Sequence, residues 1–279
     1  MFALRRGWLI AGASCAALAL FLAFLIASFP YNDTASALLA PYRLKLIYQA
    51  QHLRLPFGVR LEDASLISTD GGISHPPLAH SSEIILTPAL GSLLFGTPGL
   101  NLHAQLYAGT IAATIHQNAD AIDLVFNLDA LDLAQCAPLQ QFEATLGGSL
   151  SGAGSAVIRG PRITDSSGAA AVAAREVTLE ITHGFPLIHL GMISGRILLG
   201  GGAVTFQQLE THGDDLEARA DGTIRLAPEL DASTIAARLY LTPTASGRAH
   251  FGLFLKLLPH PPAEGPYYLR GPLYAPSLS

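Results

Sequence analysis

Ile122-Asp123-Leu124-Val125-Phe126-Asn127-Leu128-Asp129 carries an apolar side chain at every second position, with Val125 the one exception among the intervening residues. Successive side chains of an extended chain point to opposite faces, so a period of two marks a strand with one apolar face. The signature recurs on both sides. Leu100, Leu102, Ala104 and Leu106 form one stripe, and after Gly109 the apolar phase moves to Ile111, Ala113 and Ile115. That phase change fits a bulge or a hairpin at Ala108-Gly109. Further on come Val177, Leu179 and Ile181, then Leu216, Ala218 and Ala220, then Ile235, Ala237, Leu239 and Leu241. Turn signals separate the stripes: Asp70-Gly71-Gly72, Gly147-Gly148, Gly200-Gly201-Gly202, Gly213-Asp214 and Asp221-Gly222. Short strands at close spacing, with few helices between them, predict a mainly β chain of antiparallel meander topology rather than βαβ units.

Helical patches are few. Thr87 as N-cap, Pro88 at the first helical position and Gly96 at the end predict a short turn over Ala89–Phe95. Tyr42 to Leu53 reads as an amphipathic helix with Leu44, Ile47 and Tyr48 on one face, and Arg248 to Leu258 as another with Phe251, Phe254, Leu255 and Leu258. Both suit the ends of a sheet; a membrane-surface or partner-binding face is the alternative.

Upstream of the strands, Trp8 to Phe29 is a 22-residue run with no charge and no proline, preceded by Arg5 and Arg6. At about 1.5 Å per residue it reaches roughly 33 Å, enough to cross a hydrocarbon core. The arginine pair favours a cytoplasmic N-terminus, and Trp8 and Phe29 stand where interfacial anchors belong. A cleavable signal has a shorter apolar region of about 7–15 residues. Ala35-Ser36-Ala37 would imitate a cleavage site, but it lies downstream of Pro30. Cys15 reads as a small residue within the span rather than a lipid-attachment site. The expected organisation is residues 1–7 in the cytoplasm, 8–29 as a single membrane helix, and 30–279 as a β-rich domain in the periplasm of a bacterial inner membrane.

Beyond that run the chain carries 14 of its 16 Lys and Arg against all 21 of its Asp and Glu, a net charge of −7. No basic stripe is visible, so nucleic acid and anionic lipid surfaces are poor partners. Cys136 is the only cysteine outside the run, so no intramolecular disulfide is available to the exported part. Stability must come from burial, and charged residues are only 13 % of the chain, low against the usual quarter.

The search for chemistry finds little. His75 and His80, five apart around two prolines, fit neither helical nor finger-type metal ligation, and His183, His189 and His212 fall in or beside strands. Gly152-Ala153-Gly154 lacks the helix and the Lys-Ser/Thr pair of a nucleotide loop. In Gly91-Ser92-Leu93 and Gly148-Ser149-Leu150 the serine follows glycine directly, which fails the nucleophile-elbow pattern. His212-Gly213-Asp214-Asp215 can be drawn as an acid/base or cation site, with Asp214 or Asp215 as the working carboxylate of a hydrolase. A Gly-Asp turn between strands explains it with no added assumption. No enzyme, metal or cofactor is expected.

Several local runs together resemble the GspN family of type II secretion system proteins, which are related in character to AsmA-like periplasmic proteins. Phe29-Pro30-Tyr31 follows the apolar run as in that family, and Gly58-Val59-Arg60-Leu61-Glu62-Asp63-Ala64-Ser65-Leu66 is similar to its first strand. Leu106-Tyr107-Ala108-Gly109-Thr110 is similar to its hairpin turn. Leu187 to Leu241 resembles its paired strands, and Leu269-Arg270-Gly271-Pro272-Leu273-Tyr274-Ala275-Pro276-Ser277-Leu278 its closing segment. The Gly200-Gly201-Gly202 triplet departs from the charged turn usual there, and Ala169–Ala174 looks unlike a packed strand. The resemblance implies a long, curved antiparallel sheet, open along one side in the manner of a taco, with an apolar concave face.

Two functions follow as expectations. The first is an accessory component of type II protein secretion, held in the inner membrane and docking other secretion subunits through strand edges or the apolar face. The alternative is an AsmA-like lipid-binding or lipid-transfer module, with phospholipid acyl chains in an apolar groove lined by Ile122, Leu124, Phe126, Leu128, Leu102 and Leu106. Arg5, Arg6, Trp8 and Phe29 are the expected membrane-anchoring residues.

Overall fold

The computed structural model describes residues 39, 44–54, 58–68, 77, 79–89, 99–118, 121–136, 139–141, 145–159, 163–180, 187–227, 232–255, 258–273 and 275–279. The apolar run at 8–29, with Arg5, Arg6, Trp8 and Phe29, lies outside them. So do Asp70-Gly71-Gly72, His75, Gly91-Ser92-Leu93 and His183.

The described chain is mainly β. It forms one antiparallel sheet from β1 (Leu44–Ile47), β2 (Ala50–Arg54), β3 (Gly58–Ser68), β4 (Ala79–Pro88), β5 (Gly99–Leu106), β6 (Gly109–Gln117), β7 (Ala121–Asp132), β8 (Thr145–Arg159), β9 (Ser167–Glu180), β10 (Ile188–Gly200), β11 (Ala203–His212), β12 (Leu216–Arg225), β13 (Thr234–Pro243), β14 (Tyr267–Pro272) and β15 (Ser277–Leu278). From β3 to β15 the order in the sheet is the order in the sequence, and β1 and β2 lie one after the other along the outer edge of β3. One α-helix, α1 (Ala245–Leu255), and short 3₁₀ turns complete the described part. The expected meander is therefore present as a single long open sheet. Each strand makes its substantial contacts with its sheet neighbours.

The turns carry the chemistry their geometry requires. β10 and β11 meet at Gly201 and Gly202, with φ of 58° and 72°, the two left-handed residues of a tight hairpin. At the β5–β6 hairpin the same two positions fall to Tyr107 (φ 50°) and Ala108 (φ 58°), so Ala108-Gly109 is a hairpin rather than a bulge. Gly147-Gly148 and Asp221-Gly222 are not turns. The first is a register shift inside β8 with Gly148 at φ 116°, and the second lies inside β12.

Three local expectations are corrected. Tyr42–Leu53 holds β1 and β2 rather than a helix, because pairing to β3 places Leu46 opposite Leu66 and Leu53 opposite Val59 and overrides a weak helical pattern. Thr87 and Pro88 are strand residues that end β4, where Pro88 faces Leu100 at a position that tolerates a missing N–H donor; the turn expected over Ala89–Phe95 lies, from residue 90 onward, outside the described residues. Ala169–Ala174 is the middle of β9, paired on both sides. The C-terminal helix exists but begins earlier than Arg248, since Thr244 caps it. Its hydroxyl accepts from the Gly247 N–H at 3.1 Å, and its carbonyl accepts from the Arg248 N–H at 3.0 Å.

Candidate functional site

Residues opposite one another in a sheet share a face, so the register traces each face across the strands. Leu128, Phe126, Leu124 and Ile122 on β7 stand opposite Ile111, Ala113, Ile115 and Gln117 on β6. Ile115, Ala113 and Ile111 stand opposite Leu100, Leu102 and Ala104 on β5, and Leu106 faces Gly109. The six groove residues expected from sequence therefore lie on one face, and all six are half-buried. The face continues outward through Ile84 and Leu86 on β4 to Val59 and Leu61 on β3.

In the other direction it crosses Ala156, Gly154 and Gly152 on β8, then Gly168, Ala170 and Val172 on β9, then Leu199, Ile197 and Gly195 on β10. Val204 and Phe206, Ile224 and Gly222, Ile235 and Ala237, and finally Leu269 carry it to β14. The opposite face of the same strands is more exposed: Val125 is 56 % accessible, and Asn127 and Asp129 are exposed.

Two features mark the middle of this face. Small side chains fill the apolar face of β8 and β9. The Phe126 ring lies over Gly154, and a Cβ there would sit 2.7 Å from that ring and 2.6 Å from the Ala169 carbonyl oxygen. Bulges then run across neighbouring strands. Ala130, Gly148, Glu176, Gly191 and Gln208 all have positive φ and coincide with register shifts from β7 to β11. Beyond that line the apolar face is closed. Leu133, Ala174, Val177, Ile188, Leu190 and Phe251 of α1 form a buried cluster, with Leu139 packed against it from the turn after Cys136. A second cluster, Val59, Leu61, Ala64 and Leu86, occupies the β3–β4 end, and Leu102 packs against it. Ile122, Leu124, Phe126 and Leu128 belong to neither cluster.

Of the sequence candidates for chemistry, Asp215 is the one drawn into a network. It is 3 % exposed. Its carboxylate accepts from the His189 backbone N–H at 3.0 Å, the His189 Nδ1 at 3.1 Å, the Ser246 hydroxyl at 2.9 Å and the His250 Nδ1 at 3.4 Å. Burial alone would raise its pKa, but these four hydrogen bonds, led by the His189 backbone, together lower it to about 2. Ser246, His250 and Asp215 look like a nucleophile, base and orienter, yet the serine and the carboxylate both meet His250 at Nδ1. A relay needs them on opposite ring nitrogens. The network is instead a brace. It ties the start of β10 to the N-terminus of α1, where Thr244 donates its N–H and hydroxyl to the Asp215 carbonyl. A Cβ on Gly247 would lie 1.9 Å from that carbonyl oxygen, so only glycine admits this contact. Asp214 is exposed, and its carbonyl also accepts from the Thr244 hydroxyl.

Ser246 and His250 escaped sequence reasoning because they stand 31 and 35 residues from Asp215 and fit no spaced motif. His80 meets Ser65 and Asp63 on the sheet surface, and His212 is exposed at the end of β11. Among the described residues no group of three or more His, Cys, Asp or Glu is placed to hold a metal ion. Cys136 is half-buried, and desolvation raises its thiol pKa against a smaller opposing hydrogen bond from the Leu139 backbone. No family model, no curated protein and no solved structure matches this chain.

Proposed function

We propose that this chain is an inner-membrane-anchored, periplasmic accessory component of the type II secretion kind, and that its apolar face shelters the acyl chains of phospholipid. The single observation behind the lipid reading is the continuity of the apolar face from β3 to β14, unbroken by a charged side chain in the register rows traced above. A protein interface needs a polar rim and paired hydrogen-bonding groups. An acyl chain needs only a long apolar strip, and at about 0.8 kcal/mol per methylene a 16-carbon chain sheltered from water gains on the order of 10 kcal/mol. Ile122, Leu124, Phe126 and Leu128 are its centre, being apolar, half-buried and outside both closed clusters.

The resemblance to secretion proteins supplies the process, and the apolar run at 8–29 supplies the anchor. A docking role is favoured by one edge of the sheet, where no described strand lies beyond β2. β2 is exposed along most of its length, with Leu53 59 % accessible, whereas the two-residue β15 leaves little edge to pair with.

Native mass spectrometry of the detergent-extracted full chain, with lipid extraction, tests both. Stoichiometric phospholipid that survives delipidating washes supports the acyl-chain reading. Phe126→Asp then lowers the lipid-to-protein ratio several-fold with an unchanged far-ultraviolet spectrum. A lipid-free wild type that carries other membrane subunits with it overturns the lipid reading in favour of docking.

A further inference from the structure

The exposed face of β10–β14 gathers arginines that are scattered in the sequence. Arg196 on β10 stands opposite Gln207 on β11, and Asp221, Arg238 and Tyr268 form one row across β12, β13 and β14. Thr205, Thr223, Ala236 and Arg270 form the row beside it. Arg196, Thr205, Gln207, Thr223, Arg238 and Arg270 line a surface hollow of about 790 Å³.

Among the described residues, one of the three cations is held in an ion pair. Arg238 pairs with Asp221 at 3.4 Å, which neutralises the carboxylate in the hollow. Among the described residues no ion pair includes Arg196 or Arg270. The Arg270 guanidinium lies over the Tyr268 ring, 5.1 Å from its centroid, a cation–π contact that leaves its charge without a carboxylate partner among the described residues. Between the cations, the Thr205 and Thr223 hydroxyls lie 3.4 Å apart on the floor.

We propose that this hollow is an anion site for phosphate groups, with Arg196 and Arg270 as the binding cations and the threonine hydroxyls as further donors. Planar forks that donate two parallel N–H bonds suit the tetrahedral oxygens of phosphate. Four strand spacings of about 4.8 Å put Arg196 and Arg270 on opposite sides of the hollow, which favours a headgroup-sized phosphate ester over a single small ion. A chain with a net charge of −5 does not attract anions by its overall field, so binding here has to be local. Two sources offer the same chemistry: the headgroup of a phospholipid, and a soluble phosphate compound.

Calorimetry on the full chain in phosphatidylcholine nanodiscs tests the site. The probes are glycerophosphoglycerol (the phosphatidylglycerol headgroup without its acyl chains) and inorganic pyrophosphate. Saturable binding of either supports the site, provided that Arg196→Gln or Arg270→Gln weakens it about tenfold or more while Arg225→Gln, on the same face but outside the hollow, leaves it unchanged. Binding of the glycerol ester identifies a lipid headgroup; binding of pyrophosphate alone identifies a soluble phosphate. All three side chains are exposed, and matching far-ultraviolet spectra check the fold. No binding of either probe, or equal loss in all three variants, overturns the proposal.

Discussion

Asp215→Asn removes one charge from the best-connected buried carboxylate among the described residues. In the folded chain that carboxyl has a pKa of about 2, against an ordinary value of 3.8. A difference of about two units corresponds to roughly 2.5 kcal/mol of folding free energy, since each unit is worth about 1.4. The sign follows from the direction. The folded pKa is the lower one, so the contribution is complete above about pH 4 and is lost as the pH falls through 2. The asparagine adds a second penalty: its single carbonyl oxygen must serve the His189 backbone N–H, and its NH₂ then faces Ser246, whose hydroxyl has to turn from donor to acceptor. Urea denaturation followed by circular dichroism, repeated from pH 7 down to pH 2, measures both terms. The wild type should be more stable than the variant by about 2–4 kcal/mol at pH 7, and the gap should close between pH 4 and pH 2. Other carboxylates titrate in that window, but they cancel in the difference between the two proteins. Hydrogen exchange should show the loss concentrated in β10, β12 and α1. Equal stability at pH 7, or a gap that persists unchanged to pH 2, refutes the account of Asp215 as an ionised brace.

Two further substitutions test the sheet itself. Ala108→Gly relieves a left-handed alanine with φ of 58° at an exposed hairpin position, and should raise stability by about 1 kcal/mol in the same denaturation assay. Gly154→Val places a side chain against the Phe126 ring and the Ala169 carbonyl, and should lower stability by about 1–3 kcal/mol through overpacking. A neutral result there means that the face has slack over Gly154.

The strands were legible because their signal is local. Ile122 to Asp129 alternates within eight residues, and that alternation fixed both the strand and the face its side chains occupy. Reading failed where a longer-range interaction decided the outcome. Leu44 to Arg54 has enough apolar residues for a helical stripe, and only the neighbouring edge of β3 makes it extended. Asp221-Gly222 has turn composition, yet strands on both sides hold it in mid-strand, where Gly222 meets Ala237 closely. The two polar constellations were hidden for a related reason. Arg196, Arg238 and Arg270 share a face only once the register of five strands is known, and the bulge at Gln208 shifts that register within β11. The Asp215 network spans a turn, a strand end and a helix cap, so no single period connects its members.

Because the order of strands from β3 onward is the order of the chain, the sheet never requires a late segment to insert between two early ones. Each strand closes onto the edge just formed, most through short loops and β14 after the longer connection that carries α1, so the entropy of each step does not grow with the length already assembled. A sandwich or barrel of similar size must wait for distant strands to arrive. Here a chain that emerges N-terminus first can extend its sheet strand by strand as it appears, with each new hairpin covering the exposed edge left by the one before. The same arithmetic lets the sheet gain or lose a hairpin without disturbing the remainder, so its length is an evolvable quantity.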